Sequence, residues 1–138
     1  MTLPALKLDA LVTGVITLLG VIVIDMILIV FALSLLTGLV DAALLQILLR
    51  IVVVLSMLLP AYVSARLAEH NPVYHAFLIG LIEALTLSVM MTFTFSWQGT
   101  LHDYVLGRIP LTFIVTLLLN ILTGWVVKKI SASTQQKA

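Results

Sequence analysis

Apolar side chains occupy the chain in four long blocks separated by short polar stretches. The blocks cover residues 11–36, 42–65, 72–95 and 109–127. A bilayer core of about 30 Å is crossed by roughly 20 apolar residues in a helix. Inside lipid, every backbone N–H and C=O has to be satisfied within the protein, so continuous runs of this kind predict helices. The apolar–polar alternation of barrel strands is absent from them. The pattern predicts an all-α fold: an integral membrane four-helix bundle forming a single domain over 1–138. A short polar tail, 131–138, is expected to fray.

The breaks between blocks carry recognisable chemistry. Thr37-Gly38 is a stop signal, and Asp41 can cap the following helix. Asn71-Pro72 reads as an N-cap followed by a proline at the first helical position. Pro110 fits the first turn of the fourth helix. Pro60 falls inside the second block, where a proline removes a backbone donor and predicts a kink. Residues 96–108 include Trp97, Gln98, Gly99, His102, Asp103 and Tyr104, and read as a short interfacial segment with its two aromatic rings at headgroup level.

Composition reinforces this pattern. The chain is 62% hydrophobic and 9% charged, with a mean hydropathy of +1.27, whereas soluble domains carry roughly 25% charged residues. A chain this short cannot hide so much apolar surface in one aqueous core. A soluble enzyme, a nucleic-acid binder and a disordered tail are thereby excluded. The net charge of +1 leaves no basic footprint for nucleic acid. With no cysteine, disulfides and thiolate metal sites are excluded. Lys7 precedes the first block in the manner of a signal peptide. However, residues 10–40 carry only one charge, Asp25, and far exceed the apolar core of a cleaved leader. The block is expected to be a retained span. Four spans put Lys7, Arg66, Lys128, Lys129 and Lys137 on one side and Arg108 on the other. The positive-inside rule then places both termini in the cytoplasm, with Trp125 as an interface anchor.

Three ionisable residues lie inside the blocks: Asp25, Arg50 and Glu83. Each costs about 2.5–3.5 kcal/mol at mid-membrane on insertion scales, so each is expected to face protein or water. Measured by helix rise from the first connection, Asp25 lies about 21 Å deep and Arg50 about 16 Å. A salt bridge between adjacent antiparallel helices is therefore within reach. Glu83 lies about 25 Å from the same side, and Asn120 about one turn further toward the cytoplasm. The plainer reading of this cluster is structural, an Asp25–Arg50 pair that sets helix register. The sharper reading is an ion or proton pathway, with Glu83 as the unneutralised acid and first candidate and Asp25 as the second.

Small and hydroxyl residues recur at four-residue intervals. The third block has Ala76, Gly80, Ala84 and Ser88; the fourth has Thr112, Thr116, Asn120 and Gly124; the second adds Ser56, Pro60 and Ser64. Such ridges let helix backbones approach closely. They serve packing within the bundle or contact with another subunit. His70 and His75 stand five apart around a proline, which is not a helical metal spacing, and His102-Asp103 reads as a surface pair. No metal or cofactor is expected.

The run Ala61-Tyr62-Val63-Ser64-Ala65-Arg66-Leu67-Ala68, followed by Pro72, His75-Ala76 and Gly80, resembles small uncharacterised four-span bacterial membrane proteins. Those proteins end their second span in Tyr-small-small-Arg and begin the third with His-small-x-x-x-Gly. This chain departs from their pattern in lacking a Gly-Gly pair before Tyr62 and in the less basic connection Glu69-His70-Asn71. The resemblance implies a four-helix bundle in a bacterial inner (plasma) membrane and supplies no catalytic residues.

The expected function is non-enzymatic: a structural or accessory subunit of a membrane complex, partnered by the lipid bilayer and by further copies or a larger membrane protein. The alternative is a small oligomeric channel or proton-coupled transporter that uses the Asp25/Arg50/Glu83 cluster.

Overall fold

The computed structural model describes residues 6–36, 39–68, 70–96 and 109–135. Each apolar block forms one helix: α1 (Leu8–Leu36), α2 (Ala42–Leu67), α3 (Pro72–Ser96) and α4 (Ile109–Gln135). All four are long and apolar enough to cross a membrane, the build of a multi-pass membrane protein. The described residues contain no strand. Thr37-Gly38, Glu69, Arg108, Lys137 and the interfacial segment with Trp97 and Tyr104 lie outside the described residues.

Local chemistry accounts for the helix ends. Asp41 Oδ1 accepts the backbone N–H groups of Ala43 at 2.9 Å and Leu44 at 3.1 Å, satisfying two donors that the first turn of α2 leaves free. Helix α3 opens on Pro72, and the backbone N–H of His75 reaches the Asn71 carbonyl. Helix α2 continues without interruption through Pro60. At its other end α4 runs on to Gln135, so the residues expected to fray are largely helical. Continuing the helix keeps their backbone groups bonded. Ser133 and Thr134 also return their hydroxyls to the Ile130 carbonyl.

Packing is uneven along the bundle. The closest helix pair is α3 with α4, followed by α1 with α2; α2 also meets α3 and α4, whereas α1 and α4 barely touch. Both the start of α1 and the end of α4 lie at one end of the bundle, here called the termini end. Most buried side chains sit in that half: Ala10 and Leu18 on α1, Ala61 and Ser64 on α2, Ala76 and Ile79 on α3, Val127 on α4. The small residues allow this. A Cβ at Gly80 would stand 2.6 Å from Asn120 Cβ, and one at Gly124 would stand 2.7 Å from Ala76 Cβ and 2.8 Å from the Val73 Cα. Gly14 is covered in the same way by Ile79 and Ser64. The ridges of the third and fourth helices thus face each other over Ala76, Gly80, Asn120 and Gly124. Ala84 is buried above them, while Ser88 is only half-buried and returns its hydroxyl to the Ala84 carbonyl.

These contacts distinguish one glycine from another. Gly124→Ala is expected to destabilise the fold by about 1–3 kcal/mol, because its new methyl meets backbone that cannot move aside. Gly20→Ala, with nothing within 4 Å of the added carbon, is expected to cost nothing and to gain up to about 1 kcal/mol of helix propensity. Unfolding of both variants in mixed micelles titrated with dodecyl sulfate checks this; equal losses at the two positions would contradict the packing described.

Candidate functional site

Away from the termini end the helices part and enclose a cavity of about 920 Å³. Its wall is apolar, with Ile29 and Leu33 from α1, Val53 from α2, Leu87 from α3 and Val115 from α4. Five polar residues join that wall: Arg50, Glu83, Thr112, Thr116 and Asn120. Every helix contributes to the cavity, including α1 and α4, which scarcely contact each other.

At the inner end of this space Glu83 and Asn120 form a buried pair, exposed by only 2% and 1%. Asn120 Nδ2 donates to Glu83 Oε2 at 3.2 Å and to the Thr116 carbonyl at 3.0 Å. The position of this pair follows from the glycine beside it. Gly80, one turn before Glu83, lets the Asn120 side chain come in close, which brings the amide within reach of the carboxyl. The other side of the amide is unserved. Asn120 Oδ1 is buried and has no hydrogen-bond partner, a condition it shares with Ser64 Oγ among the described residues. A buried acceptor left in this state is costly, about 1–3 kcal/mol.

The remaining members of the expected polar cluster are placed differently. Asp25 is buried but is not part of the cavity wall. The Ser56 hydroxyl donates to its Oδ2 at 2.6 Å and lies 2.9 Å from the Val53 carbonyl. Among the described residues no ion pair joins Asp25 to Arg50, so the salt bridge within reach by depth is not made. Arg50 is exposed on the cavity wall. Both residues lie at suitable depths, but Asp25 turns to the serine on the facing side of α2. The cluster therefore resolves into an Asp25–Ser56 contact between α1 and α2, a Glu83–Asn120 contact between α3 and α4, and a separate guanidinium. Thr112 and Thr116, read from sequence as packing residues, belong to the cavity wall.

His75 has a role that spacing did not suggest. Fully buried, it accepts the Lys7 backbone N–H on Nε2 at 3.0 Å and sets Nδ1 3.0 Å from the Asn71 carbonyl. Nδ1 is thus the donor and Nε2 the acceptor, and a side chain of α3 caps the first turn of α1. Signals of ordinary membrane anchoring surround the same end. Lys129 Nζ lies 5.4 Å from the Trp125 ring centre, and Arg66 donates to the Tyr62 hydroxyl at 3.2 Å. A second, smaller cavity of about 400 Å³ lies there between His70, Tyr74, Phe77 and Lys128. Among the described residues no three His, Asp or Glu side chains converge as a metal site would require.

No protein-family model, curated protein or solved structure matches the chain.

The Glu83–Asn120 contact is open to a double-mutant cycle. Asn120→Leu alone is expected to cost about 1–3 kcal/mol, since it strips a buried carboxyl of its donor. Glu83→Leu with Asn120→Leu is expected to cost less than the sum of the singles, with a coupling of about 0.5–3 kcal/mol. Strict additivity in micelle unfolding would mean that the two side chains do not interact.

Proposed function

We propose that this protein is a small, non-enzymatic membrane transporter in which Glu83 is the coupling acid. One observation carries the reading: a buried carboxyl, paired only with a neutral amide, sits at the inner end of an apolar cavity within the bundle. Ionisable groups inside a membrane are expensive and tend to mark ion or substrate pathways. The half of the bundle at the termini end is packed through small residues, and the cavity lies in the other half. The basic residues favour an orientation with both termini in the cytoplasm, and the resemblance to small four-span bacterial proteins favours an inner membrane. In that orientation the cavity lies in the half of the bundle away from the cytoplasm.

Reconstitution tests the proposal. In proteoliposomes carrying a pH-sensitive dye, a pH step is expected to drive proton flux that Glu83→Gln lowers by tenfold or more. Asp25→Asn, outside the cavity, is expected to retain most of it. Flux unaffected by Glu83→Gln would remove the carboxyl from the mechanism.

A second reading, an accessory subunit of a larger membrane complex, draws on the gap between α1 and α4. A transmembrane helix of another protein seated there would close the bundle. Native mass spectrometry of protein extracted gently from its own membrane distinguishes the two readings. A stoichiometric unrelated partner, lost on Gly80→Leu but kept on Glu83→Gln, would favour the accessory role.

A further inference from the structure

We propose that the cavity takes a primary or secondary ammonium compound with an apolar body, its N–H groups donating to Glu83 and to Asn120 Oδ1. The proposal deepens the transport reading by naming its substrate class, and rests on it.

Three features select this chemistry. The first is size. About 920 Å³ lies at the upper end of small-molecule pockets and far exceeds what one ion needs. The wall, made largely of Leu, Ile and Val side chains, offers few of the oxygen ligands by which hard metal cations are held. An organic body fits such a wall.

The second is charge. Glu83 is buried with no ion pair among the described residues; its one hydrogen bond comes from the neutral Asn120 amide. A cation brought in beside it would pair with the carboxylate, whereas an anion would find no partner there. Arg50 shares the wall but is exposed. By helix rise it lies about 12 Å from the start of α2, against about 20 Å for Glu83 from the end of α3. The guanidinium thus stands nearer that end of the bundle, and Glu83 is the acid at the inner end.

The third is the orphan acceptor. Asn120 Oδ1 is buried, belongs to a residue of the cavity wall, and has no donor. Beside the Glu83 carboxyl, the pair thus holds a second acceptor in want of an N–H group. An ammonium bearing two or three hydrogens meets both; a quaternary ammonium meets only the charge. Sites built to hydrogen-bond a ligand discriminate strongly against analogues that lack the donor.

The test uses the full chain in lipid nanodiscs and equilibrium dialysis with three probes of one shape: 4-phenylbutylammonium, its N,N,N-trimethyl analogue and 4-phenylbutyrate. The primary ammonium is expected to bind saturably, one per chain. The trimethyl analogue, which loses both hydrogen bonds, should bind more weakly by about tenfold or more, and the carboxylate should not bind. Glu83→Gln should weaken the ammonium by tenfold or more. Val115→Trp fills the wall without touching the polar pair, and should block binding while leaving thermal unfolding unchanged, so the proposal stays testable if Glu83→Gln fails to fold. Binding of the carboxylate as tight as that of the ammonium, equal binding of the trimethyl analogue, or ammonium binding unaffected by Val115→Trp would overturn it. Proton flux measured in parallel separates the two ideas. Glu83-dependent flux with no ammonium binding would refute this substrate class and leave the transport reading standing. Ammonium binding without Glu83-dependent flux would refute transport and leave the site.

Discussion

The close approach of α3 and α4 at Gly80 is the contact from which the rest of the structure follows. Without a Cβ there, the two backbones come near enough for Asn120 to lie against the glycine. That approach puts the Asn120 amide beside the Glu83 carboxyl one turn along α3. It also sets where the helices separate. Toward the termini, Ala76 and Gly124 continue the close packing. In the other direction the same two ridges present Ser88, Thr112 and Thr116, which are larger and less buried, and the space between the helices widens into the cavity. A single stripe of residues at four-residue spacing thus makes a closely packed half and a half that holds the larger cavity.

The polar groups obey the accounting that a bilayer imposes. With little water available, each buried donor or acceptor needs a partner in the protein. Most hydroxyls find one in their own helix: Thr13, Thr17, Ser34, Thr86, Ser88, Thr92 and Thr123 all donate to the carbonyl four residues before them. Asp25 and Ser56 satisfy each other across α1 and α2, and His75 serves the start of α1 from α3. Against this background the unserved Asn120 Oδ1 stands out, because it lies beside a carboxyl that also lacks a charged partner. Ser64 Oγ is likewise unserved, and Asp25 likewise has only a neutral partner, but among the described residues the Glu83–Asn120 pair joins a carboxyl to an unserved acceptor on the cavity wall.

Depth along the membrane was readable from the chain; direction around each helix was not. Helix rise places Asp25 and Arg50 at similar levels, which made a salt bridge between them reasonable. Successive residues turn by 100°, however, and which side chain meets which depends on how one helix is rotated against the next. In a soluble helix the polar face reveals that rotation. Here all faces are apolar, so the pattern carries little rotational information, and the partner of Asp25 proved to be Ser56. The role of His75 was hidden for a related reason, because its partner is a backbone N–H on a helix remote in sequence.

The sequence by itself determined that the chain is all-α, where its four helices lie, and how they begin at Asp41 and Pro72. These follow from local rules: apolar length sets a span, lipid forbids unsatisfied backbone, and caps act within a turn. It also marked Glu83 and Asn120 as residues out of place in lipid. Only the tertiary structure decided that these two meet, that Asp25 and Arg50 do not, and that one half of the bundle packs closely while the other holds the larger cavity. Those outcomes rest on the rotation and spacing of whole helices. Contacts between residues far apart in the chain set both, through the fit of Gly14, Gly80 and Gly124 against their neighbours.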